Sequence, residues 1–271
     1  MVLCTGFACY TIHPLYAMNF DCWEVPLRMR LSSEGEMDVF WFEANMNGEF
    51  LETAAMNSKG FFSNFQGNLS ARHKNVEAGP GTMTIAEVYR NSLRRCGQIA
   101  DLNDLIGNRT MVYPPVPPEW NMLHNLFADK YGRALILETS EGHNEITEIA
   151  GSYLVMTNFP VNEFRNLALA EVAGAGDDRY KLACEYLTQH EEVGVEEAFA
   201  LLQKTAQNTE GWRTLCSMVF DPIGLQVHFV LNQLFSRVFT FDMRERNLTP
   251  PVNDALAQAN ISFEGFNLIT D

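Results

Sequence analysis

Over much of this chain apolar and polar residues alternate with a period of two, which predicts strands. In the first quarter the alternation covers residues 3–11, 15–21, 27–33, 39–45, 50–55 and 61–66. Turn signals separate these runs. His13-Pro14 is one, because proline fixes its own φ and restricts the residue before it. Ser32-Ser33-Glu34-Gly35, Asn47-Gly48 and Met56-Asn57-Ser58-Lys59-Gly60 are the others. The pattern predicts an antiparallel meander lying in one sheet.

The period then lengthens. Thr84-Ile85-Ala86-Glu87 is a capping box, and Ile85, Val88 and Ser92 follow at helical spacing, so a helix is expected over 85–96, ended by Gly97. A short helix over 102–106 comes next. Tyr113-Pro114-Pro115-Val116-Pro117-Pro118 can form neither helix nor central strand and reads as a stiff exposed connector. Alternation returns over 122–129, 134–139, 145–149 and 152–157, a second sheet region with turns at Asp129-Lys130-Tyr131-Gly132 and Glu141-Gly142-His143-Asn144. Spacings of three and four mark helices over 178–190 (Tyr180, Ala183, Cys184, Leu187) and 195–207 (Ala198, Leu201, Leu202). Strands over 214–220, 224–231 and 237–242 precede a mixed polar tail. This order predicts an α+β fold in which two antiparallel sheets carry helices on their outer faces. No Gly/Ser-rich linker and no internal repeat divides the chain, so one domain over 1–271 is expected.

Composition narrows the functional classes. Apolar residues make up 46% and charged residues 20% of the 271, enough for a sizeable core. Lysine and arginine total 19 against 34 acidic residues, a formal charge of −15. That excess argues against nucleic-acid and anionic-membrane partners, which are held by cationic patches. No apolar run reaches the length of a membrane span, and the first residues lack a signal-peptide pattern, so a cytoplasmic protein is expected. The six cysteines, at 4, 9, 22, 96, 184 and 216, show no C-x-x-C spacing and are expected as free thiols. Histidines at 13, 73, 124, 143, 190 and 228 form no i, i+4 pair, so neither a metal nor another cofactor is expected. Four N-x-S/T triplets, at Asn68, Asn108, Asn247 and Asn260, carry no weight without an export signal.

The candidate chemistry lies in the first hairpin, which sets Cys4 beside Asp21. A cysteine at a chain start carries a thiol and an α-amine that ordinarily titrates at about 7.7 to 8.0, nucleophile and base in one residue. Cys4-Thr5 with Met18-Asn19-Phe20-Asp21 resembles the start of the cysteine N-terminal-nucleophile (Ntn) hydrolases that cut linear amides, the bile acid hydrolase and penicillin V acylase group with its acyltransferase relatives. Met56-Asn57-Ser58-Lys59-Gly60, Asp129-Lys130-Tyr131-Gly132, Tyr153-Leu154-Val155-Met156-Thr157-Asn158 and Asp178-Arg179-Tyr180 are similar to further family segments, in the family's order over about residues 4–187.

The resemblance implies a four-layer αββα sandwich and a homo-oligomer acting on a small N-acyl amide through a thioester. It implies Cys4 as nucleophile, Asp21 orienting the amine, and Asn158 and Asn64 as oxyanion donors, with Asn68 the rival of Asn64. Arg179 would anchor the site. Where bile acid hydrolases carry an arginine, this chain has Met18, so Arg28 or Arg179 supplies the positive charge, or the thiol titrates higher, or activity is weak. Met1-Val2-Leu3 must leave before Cys4 has a free amine, and self-cleavage at Leu3-Cys4 is the expected route. Transfer of the acyl group to another amine, or a non-catalytic protein binding an acyl ligand, are the alternatives.

Overall fold

In a computed structural model of the chain, the structure describes residues 3–69, 78–112, 123–140, 143–250 and 260–267. The proline connector over 113–118, His73 and part of the 141–144 turn lie outside the described residues.

Two large sheets form the body. The first runs in the order β12 (Tyr153–Met156), β1 (Leu3–Tyr10), β2 (Pro14–Cys22), β14 (Trp212–Asp221), β15 (Gln226–Leu231), β16 (Phe239–Asp242) and β17 (Asn247–Thr249), with the short β13 (Asn208–Thr209) beside β14. The second runs β11 (His143–Glu148), β10 (Ala134–Ser140), β9 (Leu123–Ala128), β6 (Phe62–Gly67), β5 (Glu49–Asn57), β4 (Met37–Met46), β3 (Leu27–Glu34) and β18 (Ile261–Glu264). Its strands pair antiparallel except β18, which lies parallel to β3 in the tail that showed no clear period.

The predicted strands form, but the meander does not stay in one sheet. Residues 23–26 carry the chain from β2 in the first sheet to β3 in the second. The reason lies in β2, whose residues after Pro14 are buried on both faces, so it takes a central place between β1 and β14 instead of pairing with β3. β1 is buried on both faces as well and takes a second neighbour: β12 leaves the second sheet region and pairs with it, Gly6 opposite Met156 and Cys9 opposite Tyr153.

Three apolar layers follow. Tyr16, Met18 and Phe20 meet Phe40, Phe42 and Phe62 between the sheets. On the outer face of the second sheet, α1 (Ile85–Arg95) and α2 (Ile99–Ile106) set Val88, Leu93 and Leu102 against Trp41, Phe61 and Phe127. On the outer face of the first, α3 (Asp177–Gln189) and α4 (Val195–Thr205) set Ala183, Leu187 and Leu201 against Phe7, Ala17 and Val219. The expected order helix, sheet, sheet, helix is what forms.

Two turn motifs serve this packing. Asn57 is buried and donates from Nδ2 to the carbonyls of Leu93 (3.0 Å) and Cys96 (2.8 Å), while its Oδ1 accepts from the amides of Lys59 and Phe61. Asp129 accepts from Tyr131 and Arg133 in its own hairpin and from the Ile99 amide at 2.8 Å. That last bond lies at the first turn of α2, which starts three residues before the predicted boundary. Among the described residues no helix is long and apolar enough to cross a membrane.

Candidate active site

Strand alternation sorts the first hairpin into two faces. Cys4 and Ala8 point into the layer between the sheets with Met18, Phe20 and Cys22, while Phe7 and Cys9 face the helices. Leu3 pairs with Asp21 and Cys4 with Phe20, so β1 runs past the cysteine and the nitrogen of Cys4 is a peptide nitrogen.

Sequence-distant residues converge on that nitrogen and its carbonyl. The Cys4 N–H donates to Oδ1 of Asn158 at 3.1 Å, at the end of β12. Arg179, in the first turn of α3, is 5% exposed and not at the surface. Its guanidinium donates to the Cys4 carbonyl (2.6 Å), Thr5 Oγ1 (2.9 Å) and Asn158 Oδ1 (2.8 Å), and lies 3.7 Å from Oδ2 of Asp21. Gly176 at the helix start makes room for it: a Cβ there would come within 2.4 Å of the guanidinium. Asp21 accepts from the Thr214 hydroxyl at 2.6 Å. Asn158 donates from Nδ2 to the Gly67 carbonyl (2.8 Å), so as placed its oxygen end serves Cys4. Arg28 belongs elsewhere, paired with Glu43 and Glu264.

Asn64 and Asn68 are both buried on or just beyond β6. Gln66 lies between them and was not singled out from sequence. With its amide oriented to match its neighbours, its oxygen accepts from the Gly6 N–H and Asn64 Nδ2 (both 3.0 Å). Its nitrogen then donates to the carbonyls of Thr157 (3.0 Å), Met156 (3.2 Å) and Cys4 (3.2 Å). This bridge between sheets requires Gly6, since a Cβ there would lie 2.4 Å from the Gln66 amide. Asn68 donates instead to Glu138, at 3.3 Å.

Electrostatics set the resting state. Cys4 is fully buried, and burial followed by the Asp21 charge pushes its thiol well above the ordinary value, against smaller lowering by the Asp21 main-chain amide and Arg179. The neutral Met18 adds no charge. Asp21 is raised to about 7, burial outweighing the Thr214 hydrogen bond and Arg179. The folded protein therefore holds a proton on Asp21 that the unfolded chain releases near 3.8. Stability from this group is complete below about pH 4 and falls as pH rises to about 7, by about 4 kcal/mol for a shift of about three units. Asp21→Asn is expected to flatten the slope of unfolding free energy between pH 4 and 7.5, read by urea denaturation. An unchanged slope would place the titration elsewhere.

Among the described residues, the buried oxygens without a hydrogen bond include Asp21 Oδ2, Asn64 Oδ1, Asn68 Oδ1 and Thr157 Oγ1. Sequence reasoning also passed over His124 and Glu138, two fully buried side chains 2.9 Å apart behind Thr157. Among the described residues no group of three or more His, Cys, Asp or Glu side chains is placed to hold a metal ion.

No protein-family model matches the chain, and no curated protein matches it. Solved structures do match. A mutant conjugated bile acid hydrolase from Clostridium perfringens aligns over 90% of this chain and 93% of its own, at 13% identity and a TM-score of 0.68. A second variant of that enzyme aligns at 14% identity and 0.68, over 89% and 92%. Penicillin V acylase from Agrobacterium tumefaciens aligns at 16% identity and 0.61, over 89% and 86%. With the layer order and strand pairing described above, the chain has the αββα fold of the Ntn hydrolases.

Proposed function

We propose that this chain is a hydrolase of linear N-acyl amides, folded as one domain, with Cys4 as its nucleophile. The observation that carries the reading is the convergence of Asn158 and Arg179, both more than 150 residues further along the chain, on the main chain of Cys4, with Asp21 of the neighbouring strand 3.7 Å from Arg179. Cleavage of the Leu3-Cys4 bond would turn the nitrogen held by Asn158 into an amine, with Asp21 nearby and Arg179 fixing the carbonyl. That amine takes the thiol proton, the thiolate attacks the substrate carbonyl, the C–N bond breaks as the protonated α-amine gives its proton to the leaving amine, and water then releases the acid from the thioester and restores the thiol. Asn158 positions the amine through Oδ1 and, with Asn64, supplies the oxyanion donors. Asn64 is preferred to Asn68 because its amide lies against Gly6 and Met18, in the hairpin that carries Cys4, whereas that of Asn68 is turned to Glu138.

A second reading rests on the thiol itself. Cys4 is fully buried and its pKa is raised, as in a protein that keeps its leader and binds without turning over. Intact-mass analysis of purified protein, alone and after a chromogenic N-acyl amide, separates the two. The enzyme reading expects loss of Met1-Val2-Leu3 and an acyl adduct that Cys4→Ala abolishes. An intact leader with no adduct refutes it.

A further inference from the structure

We propose that His124 and Glu138 are a buried positioning pair that clamps the chain on both sides of Asn158, with His124 donating from both ring nitrogens; the catalytic part of this inference rests on the function proposed above. Three observations lead to it. His124 Nε2 lies 2.7 Å from the Thr157 carbonyl, which can only accept, so that nitrogen carries a proton. Its Nδ1 lies 2.9 Å from Oε1 of Glu138. Glu138 in turn accepts from the Val161 amide (3.0 Å) and Asn68 Nδ2 (3.3 Å) at Oε1, and from the Asn162 amide (2.9 Å) at Oε2.

With both oxygens of Glu138 already accepting N–H donors, the carboxyl serves as an acceptor toward Nδ1 too, and the pair is assigned with both ring nitrogens of His124 as donors. The geometry gives the pair a task. Thr157 immediately precedes Asn158, and Val161 and Asn162 follow three and four residues later. His124 thus fixes the chain entering Asn158, and Glu138 fixes the chain leaving it. Asn68, Gly67 and Leu69 close the third side, because Asn158 donates to the Gly67 carbonyl and accepts from the Leu69 amide at its own carbonyl. Asn158 holds the Cys4 nitrogen, so the pair acts on the nucleophile through it. It touches neither Cys4 nor a substrate, which makes both residues positioning groups.

The first measurement is made on the wild-type protein, with one variant to assign the signals. In protein labelled with 15N-histidine, His124 is expected to show two ring N–H resonances at pH 7, both absent from His124→Gln. A single ring N–H overturns the proposal. The second uses Glu138→Gln, which keeps the side-chain length and removes the charge. It is expected to abolish the Nδ1 proton and to shift the side-chain amide resonance of Asn158, assigned by its loss in Asn158→Asp. An Asn158 amide unmoved in a folded Glu138→Gln protein overturns the clamp. In an amide-hydrolysing preparation, kcat of Glu138→Gln is expected to fall by about 100-fold with KM little changed, the scale of a slightly misplaced catalytic group. A protein with both ring protons and a responsive Asn158, yet no acylation of Cys4, would keep the clamp and overturn the amidase reading instead.

Discussion

Arg179→Ala is expected to destabilise the protein by about 3–5 kcal/mol, the scale for removing a buried charged donor from several hydrogen bonds at once. The guanidinium is satisfied on three sides, by the Cys4 carbonyl, Thr5 and Asn158, with Asp21 on the fourth. Its removal takes a charged donor from three buried acceptors, leaving Asn158 with the Cys4 amide, the Cys4 carbonyl with Gln66 and Asp21 with Thr214. In a chain of this length the loss corresponds to a drop in melting temperature of about 10 °C. Arg179→Lys is expected to recover little, because one ammonium on a flexible stem does not match a planar fork reaching Cys4, Thr5 and Asn158 together. Urea denaturation of the three proteins checks both statements. A loss within about 1 kcal/mol for the alanine variant, the range of an exposed ion pair, would mean that the cluster is open to water.

The second large effect is kinetic. Asn158→Ala is expected to lower kcat on an N-acyl amide by 100- to 1,000-fold, about 3 to 4 kcal/mol, as removal of an oxyanion donor does elsewhere. Asn158→Asp separates the two tasks given to this residue. Aspartate keeps the acceptor for the Cys4 nitrogen and for Arg179 and lacks the N–H donors. If holding the nitrogen is the main contribution, the aspartate variant retains most of the activity that alanine loses. If oxyanion donation dominates, the two fall together. An alanine variant within tenfold of wild type would remove Asn158 from the machinery.

Much of this arrangement was legible in the residues. The strands over the first 67 positions, the capped helix α1 and the Asn47-Gly48 hairpin follow from alternation and turn chemistry, which act locally. The division of the first strands between sheets was not legible, because alternation says which face of a strand is buried and not which strand lies beside it. β2 shows the limit: one face is covered by the second sheet and the other by α4, while its in-sheet neighbour β14 and that helix both lie some 200 residues away.

The site was half legible for a related reason. Cys4, Asp21, Asn158 and Arg179 stand in short runs that resemble a known family. Gln66, Thr214, His124 and Glu138 each occupy a polar position in an alternating strand, where the ordinary reading is a side chain facing water. Here the polar members of β6, β9 and β10 turn inward and satisfy one another, which only the packed sheets reveal.

Gly6 gives that inward polarity its cost and its control. Between most of their length the two sheets are spaced by aromatic rings, which tolerate small changes in separation. At Gly6 they are spaced by a hydrogen-bonded amide resting directly on the backbone, with no give. The interlayer is therefore filled by rings along the Phe40–Phe62 side and fixed by hydrogen bonds at the Gln66 side. A single methyl group at position 6 is the smallest wedge that would displace that amide, parting the sheets at the cysteine while leaving every reactive atom in the protein.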